Sequence, residues 1–132
     1  MNLIEIFSII IIHWFADFIM QDEKWALGKS KNWSDLLRHT FTYSCIWLIP
    51  IIFLFPNNWT TSEYVISSLL FGFTTFVFHT ITDYITSRIV SKKFEKQEYG
   101  SSIPNIGAFS WIGFDQVLHY IQLFVTYWLL TK

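Results

Sequence analysis

"HWFADFIMQ", residues 13–21, closes the first long apolar run of the chain and sets His13, Asp17 and Gln21 four residues apart within it. Residues i and i+4 share one face of a helix, so the three form a polar stripe on an otherwise greasy rod. An aspartate at the centre of a membrane-spanning helix costs roughly 2.5–3.5 kcal/mol on insertion scales, so such a stripe persists only where it meets other polar groups. The remaining segments must supply those partners.

They are of the right kind. Of 132 residues, 52% are hydrophobic, 20% aromatic and only 14% charged, against roughly 25% charged in ordinary soluble domains. Four apolar segments, about 3–21, 35–55, 64–87 and 111–130, each approach the ~20 residues that cross ~30 Å of hydrocarbon as helix. The first reads as a retained span, because it has no basic leader and no small-residue cleavage site. The spacing therefore predicts a single all-α domain over residues 1–132, an integral membrane four-helix up-down bundle. Pro50 should kink the second span. "FPNNWTTSE" (55–63) gives a tight turn in which Thr60 and Glu63 match a capping box. Asn32 or Ser34, and Ser110, are expected N-caps for the helices that follow them.

Lys24, Lys29, Lys31 and Arg38 flank the first loop, and Arg88, Lys92, Lys93 and Lys96 the third; only Lys132 lies at the opposite side. The positive-inside rule then puts those two longer loops in the cytoplasm and both termini outside, in a multi-pass protein of the cytoplasmic (inner) membrane. The bilayer is the implied partner, association into a homo-oligomer is compatible with the pattern, and no nucleic-acid partner is expected. One cysteine, Cys45, permits no internal disulfide.

Each segment carries one histidine, His13, His39, His79 or His119, and three carry an aspartate one turn away: Asp17, Asp83 and Asp115. In the last segment the order is reversed, as is the direction of the chain, so all three pairs fall at similar depths. Imidazoles and carboxylates in this arrangement suit a metal ion: His13, His39, His79, His119 and Asp83 are the expected ligands, with zinc favoured by imidazole and manganese or iron by carboxylate. Asp17 and Asp115 are the candidate bases. Gln21, Tyr43 and Gln116 would position a polar substrate, and Lys29 or Arg38 would attract a phosphate-bearing small molecule or lipid headgroup. The expected function is a metal-dependent membrane hydrolase with its site on the cytoplasmic side. The alternative is a transporter or binding protein for a metal ion, a proton or a small polar solute, although the outer half of the second segment, "IWLIPIIFLF" (46–55), offers no polar path. A third reading, a structural accessory protein, asks only packing of the His/Asp layer.

"HWFADFIMQ", His39 with Tyr43, "HTITD" (79–83) and "DQVLH" (115–119) together resemble the bacterial and phage membrane proteins grouped as domain of unknown function 3307. The resemblance covers most of the chain and all four segments. Its most specific parts are His13-x3-Asp17-Phe18-x2-Gln21 and Asp115-Gln116-x2-His119. It implies a four-span fold without an established activity, and it carries over His13, Asp17, Gln21, His39, His79, Asp83, Asp115, Gln116 and His119 as site positions. It also leads one to expect a basic residue soon after Asp83, where this chain has Thr86 and Ser87 before Arg88.

Overall fold

A computed structural model describes residues 1–132. The chain is all-α, with five helices and no strand: α1 (Leu3–Trp14), α2 (Glu23–Gly28), α3 (Trp33–Trp47), α4 (Thr61–Glu95) and α5 (Ala108–Leu130). A π-helical turn, Phe15–Ile19, continues α1, and a 3-10 turn, Pro50–Leu54, follows α3. Four rods thus fall on the four apolar segments. By length and composition one helix, α4, is long and apolar enough to cross a membrane.

The starts of these helices are set locally. The Asn2 side chain caps α1 through a box with Glu5, Asn32 caps α3 by accepting from the Asp35 amide, and Thr60 with Glu63 forms the expected capping box on α4. Ser110 is not an N-cap. α5 begins earlier, after Gly107, because the Glu98 carbonyl takes the Ala108 amide (2.8 Å) and the Ser110 hydroxyl turns back to Asn105. Helix α4 also runs past the expected end near Ser87 to Glu95, where Lys92 and Lys93 lie in the last turn and complement the negative end of the helix. Proline at position 50 cannot donate into the α-helical ladder, and the chain tightens there. The carbonyls around it find side-chain donors: Ser68 for Leu48, Tyr127 for Leu54 and Tyr64 for Pro56.

Cross-contacts fix the topology. His39 meets His79 while Leu48 meets Ser68, so α3 and α4 are antiparallel; Thr75 meets Gln122 while Thr86 meets Asp115, so α4 and α5 are too. His13 against Tyr43 and Gln116 places α1 between α3 and α5, closing a ring of four. One half of the ring is filled by an apolar plug of Ile9, Trp47, Ile51, Phe55, Phe71 and Leu123, with Tyr127 beside Phe55. The other half is polar. On α4 the buried residues Ser68, Gly72, Thr75, His79, Asp83 and Thr86 follow one another at steps of four and three, a continuous stripe facing the bundle axis.

Candidate metal centre

Four atoms from α3, α4 and the π turn meet at the polar end of the axis. His39 Nε2 lies 3.1 Å from His79 Nε2, 3.2 Å from Asp17 Oδ1 and 3.1 Å from Asp83 Oδ2; His79 Nε2 lies 3.7 Å from Asp17 Oδ1 and 3.5 Å from Asp83 Oδ2. One imidazole N–H cannot point at three acceptors together, and Asp17 Oδ1 is left without a hydrogen-bond donor. Lone pairs converging in this way suit a cation. The edge of a tetrahedron with 2.0–2.1 Å bonds is about 3.3–3.4 Å, and the separations bracket it.

Local structure explains why both acidic groups reach this point. In a regular α-helix a residue four positions on lies about 40° further round, so His13, Asp17 and Gln21 would drift off the axis. The π turn, closed by the Met20 amide on the Phe15 carbonyl (3.0 Å), widens the helix under Asp17, and both His13 and Asp17 are buried. Gln21 falls beyond the helix end, with a buried, unpartnered Oε1. Asp83 and His79 are one turn apart on α4.

His13, also an expected ligand, has both ring nitrogens engaged. The Tyr43 hydroxyl donates to Nδ1 (2.6 Å), and Nε2–H donates to Gln116 Oε1 (2.7 Å). The Gln116 amide nitrogen, so oriented, donates to Asp17 Oδ2 (3.1 Å) and Asp115 Oδ2 (3.2 Å). This relay fixes the tautomer of His13 and the rotation of two carboxylates. Asp115 stands slightly apart from the four-atom cluster, with Oδ1 accepting from Thr86. His119 stacks on His79, ring centroids 4.0 Å apart, and neither of its nitrogens has a hydrogen-bond partner.

Lys29, at the end of α2, reaches in to place Nζ 2.9 Å from Asp83 Oδ2. Burial works against its charge, but Asp83, with Asp17 and Asp115 behind it, outweighs burial and holds the ammonium pKa above its ordinary value. With neutral imidazoles, three carboxylates and one ammonium leave two negative charges in a nearly dry site. One divalent cation balances them.

A cleft of about 520 Å³ opens onto Asp17, Asp83 and Asp115 from the loop end of the bundle. Its polar wall includes Gln21, Lys29 and Gln116, its apolar wall Leu27, Val90 and Phe94. Ser87 and Ser91, four and eight residues after Asp83, also line it; the same i+4 spacing that singled out His79 and Asp83 would have found them. Of the other expected substrate groups, Tyr43 is buried below the cleft and Arg38 is exposed outside it. Arg88 does not supply a cation after Asp83 either: its guanidinium packs over Tyr84, 3.7 Å from the ring centroid, and bonds the Tyr84 carbonyl. Neither α2 nor the Lys29 contact, which crosses 54 positions, is legible in local spacing.

The class defined by these features is an all-helical protein with a buried His/Asp centre beneath a one-sided cleft. The chain belongs to the family described as Protein of unknown function (DUF3307), whose model matches residues 6–132. No curated protein and no solved structure matches the chain.

Proposed function

We propose that this chain is a four-span protein of the cytoplasmic membrane that binds a divalent metal ion through His39, His79, Asp17 and Asp83 and hydrolyses a lipid or other phosphate-bearing substrate. The observation that carries the reading is the convergence of Asp17 Oδ1 and Asp83 Oδ2 on the paired Nε2 atoms of His39 and His79, at 3.1–3.7 Å from those nitrogens, at the floor of the cleft. Zinc fits two imidazoles and two carboxylate oxygens, and manganese or iron fits a shell completed by further oxygens.

The membrane assignment is supported by an inverted distribution of side chains. Fourteen polar or charged residues are buried against eleven apolar ones, while Ile4, Phe7 and Ile11 on α1, Phe73 and Ile81 on α4, and Ile121 on α5 point outward. Exposed apolar surface of this extent on all sides needs lipid. The basic first and third loops lie at the cleft end of the bundle, which supports reading the cleft as cytoplasmic, at the headgroup level.

A bound ion of this type lowers the pKa of its water toward ~7 and polarises a phosphoryl oxygen. The remaining tasks fall to side chains. Asp17 and Asp83 would help hold the ion, which leaves Asp115, reachable from the cleft, as the base that would accept a water proton. Gln116 holds Asp115 and Asp17 in register. Lys29 and Lys31 on the polar wall draw in the anionic group, while Leu27, Val90 and Phe94 accept an apolar tail. A transporter is less well supported, because the plug around Trp47 and Phe71 closes the axis on the far side.

The test combines metal analysis and activity. Detergent-purified protein should carry about one zinc, manganese or iron ion per chain, lose it to chelator, and release phosphate or headgroup from a panel of phospholipids and phosphoesters only when loaded. A metal-free protein that stays folded and hydrolyses the same panel refutes the proposal.

A further inference from the structure

In the four-atom cluster each carboxylate uses one oxygen. The second oxygen of Asp83, Oδ1, is buried without a hydrogen-bond partner and lies 3.6 Å from His119 Nε2, which is equally unpartnered. The other nitrogen of the same ring, Nδ1, lies 3.8 Å from Asp115 Oδ2 and 3.9 Å from Asp17 Oδ2. His119 is 1% exposed, so water offers its two nitrogens no relief. An imidazole wedged between carboxylates on both edges, touching neither at hydrogen-bond distance, has the arrangement of a metal-ligating ring. One edge faces a cation, and a carboxylate orients the ring from the other.

We infer that Asp83 bridges two divalent ions, the first in the cluster at its Oδ2 and a second held by Oδ1 and His119 Nε2, with the second ion's shell completed by a phosphate group in the cleft. The inference rests on the metal-binding reading above. Nδ1–H of His119 then faces Asp115 Oδ2 and Asp17 Oδ2, 3.8 and 3.9 Å away on the edge of the ring turned from the ion. A 1,3-carboxylate bridge sets two ions about 3.5–4 Å apart, the spacing of two-metal phosphoryl-transfer sites.

Charge identifies the ligand class. The first divalent ion neutralises the −2 of three aspartates and Lys29, so a second leaves +2, which a dianionic phosphate balances. With only two protein ligands, the second ion binds more weakly than the first and together with the anion. Sites of the two kinds are thereby distinguishable by titration.

The test uses the full chain in detergent, loaded with Mn²⁺ with and without inorganic phosphate and followed by electron paramagnetic resonance and equilibrium dialysis. One tight equivalent without phosphate, a second with it, and an exchange-coupled spectrum at two equivalents are expected. His119→Gln should abolish the second equivalent and the coupling while retaining the first. His39→Ala should weaken the first. One equivalent under all conditions overturns the second site and leaves the single-ion reading standing; no tight equivalent overturns both. Two equivalents that survive in His119→Gln, or a second one showing no exchange coupling in the wild type, overturn the assignment to Asp83 and His119. The wild-type coupling requires no variant to fold.

Discussion

Lys29→Met separates the roles of the lysine and the metal. In the metal-free protein the ammonium at 2.9 Å is the fixed cation nearest Asp83, whose side chain is 1% exposed. Removing one partner of a buried pair costs about 3–5 kcal/mol, and the 19% exposure of the lysine side chain puts this case at the lower end, about 3 kcal/mol. At roughly 4 °C per kcal/mol for a domain of this size, the metal-free variant should melt about 12 °C below wild type. With a divalent ion on Asp83 the carboxylate keeps a positive partner, and only a charge-assisted hydrogen bond is lost, about 1.5 kcal/mol or about 6 °C. The added metal should therefore raise Tm by about 6 °C more in Lys29→Met than in wild type. Because the folded-state pKa of Lys29 is raised, its contribution is fully present below the ordinary lysine pKa and lost only as pH climbs beyond it, so melts at pH 6–8 all report the charged pair. Tryptophan fluorescence or circular dichroism of the detergent-solubilised protein gives the four melting curves. Equal metal-induced shifts in the two proteins would refute the idea that the ion and the lysine share Asp83.

Other substitutions probe the remaining parts. Asp115→Asn should lower kcat on the responsive substrate by about 10²–10⁴-fold as a lost general base, with metal content by elemental analysis unchanged at the first site. Gly28→Val should reduce substrate affinity, seen as a raised KM, because a Cβ at position 28 would collide with the Asp35 carboxylate that Asn32 holds, and relieving the clash shifts the end of α2 that carries Lys29. Asn32→Ala should lower Tm by about 4 °C, since it removes the side chain that caps α3, an effect of about 1 kcal/mol. A cysteine at position 58, in a Cys45→Ser background, should react with an impermeant maleimide added outside intact cells; labelling only after lysis would invert the orientation.

What the sequence disclosed was what nearby residues decide. The capping box at Thr60 and Glu63, the Asn32 cap and the disturbance at Pro50 depend on neighbours within a few positions, and each is in the structure. The four rods follow from apolar runs of about 20 residues. The inward turn of His79, Asp83, Asp115 and His119 follows from i+4 spacing with the order reversed in α5. Ser110 lies inside α5 and not at its cap because the Glu98 carbonyl, beyond the turn, takes the Ala108 amide and starts the helix earlier. Helix α4 outran its apolar segment because helix length need not stop where hydropathy does. The π turn under Asp17, the reach of Lys29 and the engagement of His13 by Tyr43 and Gln116 depend on which rods are adjacent and at what height, and one-dimensional spacing does not encode that.

Helix α4 is a single rod of 35 residues, and it carries the plug residue Phe71 and the site residues His79 and Asp83 without a hinge between them. At Gly72 it passes so close to α3 that an added Cβ would stand 2.6 Å from Leu48 Cδ2. This crossing is a fulcrum. Eleven residues, about 16 Å of helix, separate it from Asp83, so a 5° tilt there swings the carboxylate by about 1.4 Å relative to His39 and Asp17. A displacement of about 1 Å is enough to cost a catalytic arrangement two orders of magnitude. The arrangement of His39, His79, Asp17 and Asp83 can accordingly be detuned from the far end of the bundle, by a wedge at the fulcrum that prises the two rods apart, with no change to any residue of the cluster.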